Sequence, residues 1–136
     1  MNIRKFMPSD QDDLIALWRR VFPDDPAHNE PAQVLQAKLE VDDLIFVAIL
    51  DDKLVGACMV GYDGHRGWLY AVAVAPEARR SGVGAALVKQ ATGSLKQLGC
   101  IKVNLQIRAG NTEVAAFYES LGFACELRLS MGAFIE

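Results

Sequence analysis

Cysteine and histidine are scarce in this chain, with three cysteines (Cys58, Cys100, Cys125) and two histidines (His28, His65) among 136 residues. The cysteines form no Cys-x-x-Cys pair and are odd in number, so neither a disulfide framework nor a zinc site is expected. They read as small apolar fillers in a reducing compartment. The histidines are far apart and not near cysteines, which argues against a catalytic metal. No apolar run approaches the roughly 20 residues that span a bilayer, and the N-terminus carries no apolar stretch behind a basic segment. A cytoplasmic protein without a membrane partner is expected. Basic clusters and aromatic-studded basic strands are also missing, and with a net charge of −3 nucleic acid is not an expected partner.

What is present can build a core. Apolar residues make up 51% and charged residues 23%, and the length suits one domain over residues 1–136. Charge is divided unevenly, with a net −5 over residues 1–75 and +2 over residues 76–136. A basic half receiving a phosphate-rich ligand and an acidic half receiving a cation would give this asymmetry, as would ordinary solvated faces.

The order of elements is α/β without repeats. Asn2 to Phe6 reads as a strand. Ser9 is expected to cap a helix through Val21, with Leu14, Leu17, Trp18 and Val21 on one stripe. Pro23 and Pro26 end it, and a second helix starts near Pro31. Leu44 to Leu50 and Leu54 to Tyr62 form a hairpin through Asp51-Asp52-Lys53, and a turn at Asp63 to Gly67 leads to a strand over Trp68 to Ala75. A helix over Gly82 to Leu98, a strand over Ile101 to Ile107, a helix over Asn111 to Leu121 and a strand over Phe123 to Ser130 complete the pattern.

Chemistry concentrates where the Trp68 to Ala75 strand meets the helix after Gly82. The connecting residues include Arg79-Arg80-Ser81-Gly82-Val83-Gly84. A strand running through a glycine-bearing turn into a helix offers unpaired N–H groups and the positive end of the helix dipole to one point, an arrangement suited to pyrophosphate. Gly82 and Gly84 permit close backbone approach, and Arg79 and Arg80 add charge. Neither the dinucleotide fingerprint Gly-x-Gly-x-x-Gly nor the Walker loop occurs anywhere in the chain.

Val72-Ala73-Val74-Ala75-Pro76, followed by Arg79-Arg80-Ser81-Gly82-Val83-Gly84-Ala85, resembles the acetyl-coenzyme A signature of the GNAT superfamily of N-acetyltransferases, Gln/Arg-x-x-Gly-x-Gly/Ala. A second match follows in the family's order: Asn111, Ala115, Phe117-Tyr118-Glu119 and Leu121-Gly122-Phe123 are similar to its Asn…Ala…Phe-Tyr-Glu…Gly-Phe helix. The resemblance implies a mixed, mostly antiparallel sheet of six to seven strands with about four helices. The strands holding Val72 and Val103 would splay apart around the pantetheine arm of acetyl-CoA. It implies binding by Val72, Ala73 and Val74 along the arm, by Arg79 to Ala85 at the pyrophosphate, and by Asn111. Tyr118 would be the general acid for the leaving thiolate, a role that suits a phenol.

The general base is not legible. Several family members carry a glutamate where this chain has Trp68, which excludes a direct carboxylate there. Neutralising a lysine-type amine at pH 7 costs about 4.6 kcal/mol against about 1 kcal/mol for an α-amine. A low-pKa acceptor, or a water relay through Tyr70, Asp63, His65, Asp24 or Asp25, is therefore expected. The resemblance implies a small-molecule or peptide amine as acceptor and leaves a homodimer open. Alternatives are an acyl-CoA sensor without turnover and a transferase using another acyl-CoA donor. No cysteine lies in a helix-start context that would make it a nucleophile.

Overall fold

Alternating apolar runs punctuated by turn residues build a five-stranded sheet, fewer than the six to seven strands expected. The computed structural model describes residues 1–136, which form two units, Met1–Gln106 and Ile107–Glu136. The first holds β1 (Asn2–Lys5), α1 (Gln11–Val21), α2 (Pro31–Val41), β2 (Ile45–Leu50), β3 (Lys53–Tyr62), β4 (Gly67–Val74), α3 (Val83–Gln97) and β5 (Val103–Asn104). The sheet order is β1-β2-β3-β4-β5, antiparallel except for the parallel β4–β5 pair. This is the expected mixed, mostly antiparallel α/β arrangement. No helix is long and apolar enough to cross a membrane.

Local chemistry sets the boundaries. The β2–β3 hairpin turns on Asp51 and Asp52, both at positive φ (51° and 63°), the conformation of a tight hairpin turn that aspartate tolerates. Glu30 caps α2, its carboxylate accepting the Gln33 N–H at 3.0 Å ahead of Pro31 at the first helical position. At the start of α1 the expected Ser9 cap is replaced by a tighter device. Asp10 accepts both guanidinium nitrogens of Arg4 (2.7 and 3.0 Å) and the Met7 N–H at 2.8 Å, which fastens β1 to the turn before the helix. The Arg4 bond holds the Asp10 carboxyl below the usual carboxylate range. With its folded pKa depressed, this group contributes stability above the unfolded carboxylate pKa and loses it as pH falls through the folded value.

The core lies between sheet and helices, with Leu14, Leu35, Ile45, Val47, Val60, Leu87 and Leu95 fully buried. Each such side chain stabilises the fold by about 1.5–3 kcal/mol. Two glycines let α3 lie close across the sheet. A Cβ on Gly56 would stand 2.8 Å from Val83 Cγ1, and one on Gly67 would stand 2.8 Å from Leu95 Cδ1, so both ends of α3 are seated against bare strand backbone. The N-terminus of α3 thereby lies beside the end of β4.

The second unit, by itself, carries α4 (Thr112–Ser120). The strand expected over residues 123–130 finds no ladder partner within this unit, and β5 is confined to Val103–Asn104 instead of running from Ile101 to Ile107. A strand persists only as far as another strand pairs with it, and apolar alternation alone does not supply the partner.

Candidate active site

The site begins with a fault in β4. Ala57 pairs with Ala73 but Met59 pairs with Tyr70, so one residue of β3 opposes two of β4. This is a β-bulge, and Ala71 within it adopts φ +49°, a left-handed conformation that alanine avoids. Trp18 on α1 holds it there, its indole Nε1–H donating to the Ala71 carbonyl at 3.2 Å. Such strain persists only where surrounding structure fixes it, and it concentrates at functional sites. The bulge also flips the side-chain alternation. Before it, Gly67 points at α3; beyond it, Val74 pairs with Gly56 and shares that glycine's α3-facing side.

The pairing of β4 changes over the same stretch. On the edge towards β5, Gly67 pairs with Val103 and Trp68 with Asn104, and the ladder then stops. From the bulge to Val74 the strand is paired with β3 alone within this unit, so the β4–β5 ladder ends ahead of Val72, the stretch where the resemblance implied a splay.

Beyond β4 the chain makes a short turn at Pro76–Ala78 and enters the loop before α3. Arg80 (φ +65°) and Gly82 (φ +83°) are both left-handed. Alternation of this kind turns successive N–H groups inward into an anion-binding concavity. Gly82 is the N-cap of α3 and no side chain caps the helix. The Ala86 N–H is the first to reach back, to the Gly82 carbonyl at 3.0 Å, which leaves the N–H groups of Val83, Gly84 and Ala85 without helical acceptors. Ser81 spends its hydroxyl on the Ala78 carbonyl, bracing the loop. Arg79 and Arg80 are exposed, Val83 packs into the core through its side chain, and no acidic residue lies between residues 79 and 85. A bidentate Arg20–Glu77 pair ties α1 to the turn below.

The acceptor-side candidates fall into two places. Asp63, His65 and Tyr70 lie together around the β3–β4 turn and the first half of β4. The Asp63 carboxylate accepts the His65 and Arg66 N–H groups, both at 2.7 Å, and these bonds hold it below the usual carboxylate range. Burial, and then the nearby Asp63 charge, raise the Tyr70 hydroxyl above its ordinary value. Asp24 and Asp25 lie apart from these, in the loop between α1 and α2. Cys58, buried in β3, is pushed up to about 12 by desolvation and is inert.

In the second unit, Asn111 caps α4 by accepting the Val114 N–H at 3.3 Å through its side-chain oxygen, a use that leaves its amide donors uncommitted by the cap. Tyr118 is buried, with its ring edge-to-face on Phe117 (4.9 Å) and Phe123 (5.5 Å). Sequence reasoning missed Ala71 and Trp18, because a bulge depends on the neighbouring strand and Trp18 fits an ordinary apolar stripe.

Comparisons with known proteins agree with this geometry. A profile described as the Acetyltransferase (GNAT) family matches residues 11–123. An acetyltransferase of Sodalis glossinidius is 39% identical over 124 residues, covering 90% of this chain and 87% of its own. One of Yersinia enterocolitica is 35% identical, covering 97% and 94%. Among solved structures, an aminoglycoside 6'-N-acetyltransferase from Acinetobacter haemolyticus superposes with TM-score 0.79 over all of both chains at 24% identity. AAC(6')-Iy, complexed with the bisubstrate analogue CoA-S-monomethyl-acetylneamine, does so with TM-score 0.81 at 19% identity, covering 98% of this chain and 97% of its own. The last two establish shared architecture, and the relatives above 30% identity, with the profile, establish kinship. A bulged strand feeding an uncapped helix thus sits in a chain whose relatives are acetyltransferases, and this protein belongs to the GNAT acetyltransferase family.

Proposed function

We propose that this enzyme moves the acetyl group of acetyl-CoA to a primary amine of a small molecule or a peptide terminus, by direct attack in a ternary complex. The observation that carries this reading is the conjunction of a left-handed, uncapped helix start with a β4 edge left without a ladder partner. Phosphate oxygens would accept from the N–H groups of Gly82, Val83, Gly84 and Ala85, with Arg79, Arg80 and the Ser81-braced loop around them. The backbone of Val72, Ala73 and Val74 would pair with the amide-bearing arm as an added strand does. Acetyl-CoA supplies a thioester whose carbonyl carbon accepts the amine lone pair as the carbon–sulfur bond breaks.

The remaining steps fall to the chain and solvent. A β4 N–H beside the bulge would polarise the acetyl oxygen. Tyr118, assigned on its motif with Asn111, would give its hydroxyl proton to the departing thiolate sulfur and recover one from solvent. Asp63 is a poor base because its turn bonds stabilise the carboxylate, and Trp68 cannot serve as one. The proton lost by the amine therefore goes to water, which favours acceptors whose amine is readily neutral. Steady-state release of free thiol with acetyl-CoA across an amine panel tests the reading. Amine-dependent release with an N-acetylated product is expected, and cofactor binding without transfer to any amine would overturn it.

A further inference from the structure

The face of β4 that points away from α3 carries a feature that the cofactor does not use. Trp68 and Tyr70, two residues apart on one strand face, have ring centroids 6.3 Å apart and planes within 21° of parallel. Gly61 and Met59 pair with them across β3. Because Gly61 has no side chain, the Tyr70 ring leans over it, and a Cβ there would already touch Tyr70 Cε2 at 3.4 Å. Tyr70 is 45% exposed, unusual for an aromatic ring in the middle of a sheet strand. The two rings make a shelf that ends at the bulge.

The charge that acts on the Tyr70 end of this shelf is negative. At its far end stands Asp63, fixed in the turn by two N–H bonds and close enough for its charge to act on the Tyr70 hydroxyl. Arg66 turns its guanidinium to the His65 carbonyl at 3.0 Å. Lys38, which reaches the Val60 carbonyl from α2, is paired with Asp42 at 2.7 Å. Aromatic faces and a fixed carboxylate attract an ammonium group and disfavour a carboxylate.

We propose that Trp68 and Tyr70 select a short aliphatic diamine as acceptor, with one amine at the bulge and the distal ammonium resting on the aromatic faces within reach of Asp63. This rests on the transfer reading above, which puts the reacting amine beside Ala71 and Val72. From there the Tyr70 ring is one to two strand residues away, roughly 3–7 Å at the rise of a β-strand, and Trp68 three to four, roughly 10–13 Å, so a short alkyl spacer carries the distal ammonium from the bulge onto the near side of the ring pair. The spacer lies on the Tyr70 ring. A distal positive charge held there also lowers the pKa of the near amine, easing the deprotonation for which the chain provides no strong base.

The test compares butylamine, α,ω-diaminobutane, α,ω-diaminopentane and ω-aminopentanoate in the thiol-release assay. Titration calorimetry of the same amines into the CoA-bound enzyme gives affinity independently of turnover. The diamines should have KM and Kd values about 3- to 30-fold below butylamine, with aminopentanoate weakest. Tyr70→Leu and Trp68→Leu should remove most of that ratio, chiefly through KM, while Tyr70→Phe keeps it and the acetyl-CoA affinity of all three is unchanged. If Trp68→Leu fails to fold, the exposed Tyr70 pair decides alone. Equal use of monoamine and diamine, or a ratio unaltered in Tyr70→Leu, would overturn this inference while leaving the transfer reading intact. Diamine binding without acetylation would overturn transfer and support the shelf.

Discussion

The two halves of β4 offer different things. From Gly67 to Tyr70 the strand is paired on both sides at its start and its chemistry is in side chains, the stacked Trp68 and Tyr70. From Val72 to Val74 the side chains are small and the backbone edge towards β5 has no partner. Between them stands one left-handed residue, Ala71, held by Trp18. The bulge changes which residues face away from α3 partway along the strand, and under the proposed function cofactor recognition would fall on the second half and acceptor recognition on the first.

The largest effect should come from damaging the cofactor end. At about a hundredfold excess over its Kd, acetyl-CoA should stabilise the fold by about 2.7 kcal/mol. Gly84→Asp puts a carboxylate where phosphate is expected, and because an acidic residue in the first turn of a helix is favourable it should leave the free fold stable. Thermal melts should show the ligand-induced shift abolished in this variant, and an undiminished shift would move the phosphates elsewhere. Tyr118→Phe keeps the ring contacts with Phe117 and Phe123 and removes the hydroxyl. Turnover should fall by about 10² with acetyl-CoA affinity little changed, and a loss below about threefold would return Tyr118 to a packing role.

Much of this was legible in the sequence. The turn into α3 was legible because Gly82 supplies the left-handed residue that a helix start after a tight loop uses, and α2, α3 and both hairpins fall near their expected bounds. The bulge was not legible, because Val72, Ala73 and Val74 read identically in a regular or a bulged strand and only the register against Ala57 and Met59 distinguishes them. Asp10 displaced Ser9 as the organising residue of the first helix through Arg4, six residues upstream, a partnership invisible to a local capping rule. The extents of β5 and of the segment after Phe123 were overestimated because alternation gives a strand's faces and leaves its pairing undetermined.

Smaller effects probe the junction and the approach. Trp18→Phe removes the donor to the Ala71 carbonyl while keeping most of the packing. It should cost about 1 kcal/mol of stability in denaturant unfolding, and lower turnover about 3- to 10-fold as the bulge relaxes. A stability loss with unchanged turnover would separate the bulge from catalysis. Charge reversal at Asp24 and Asp25 together should raise the KM of a cationic amine by only about 2- to 3-fold, and less in high salt, because Asp24 is exposed and its charge is screened by solvent. A salt-independent change would indicate direct contact.

The division of β4 is tested most directly by amide chemical shifts of isotope-labelled protein titrated with CoA. The largest perturbations should fall on the N–H groups of Gly82, Val83, Gly84 and Ala85 and along Val72, Ala73 and Val74, with Trp68 and Tyr70 little moved until an amine is added. Perturbations centred on the β2–β3 hairpin, or on Trp68 and Tyr70 with the α3 N-terminus silent, would contradict it.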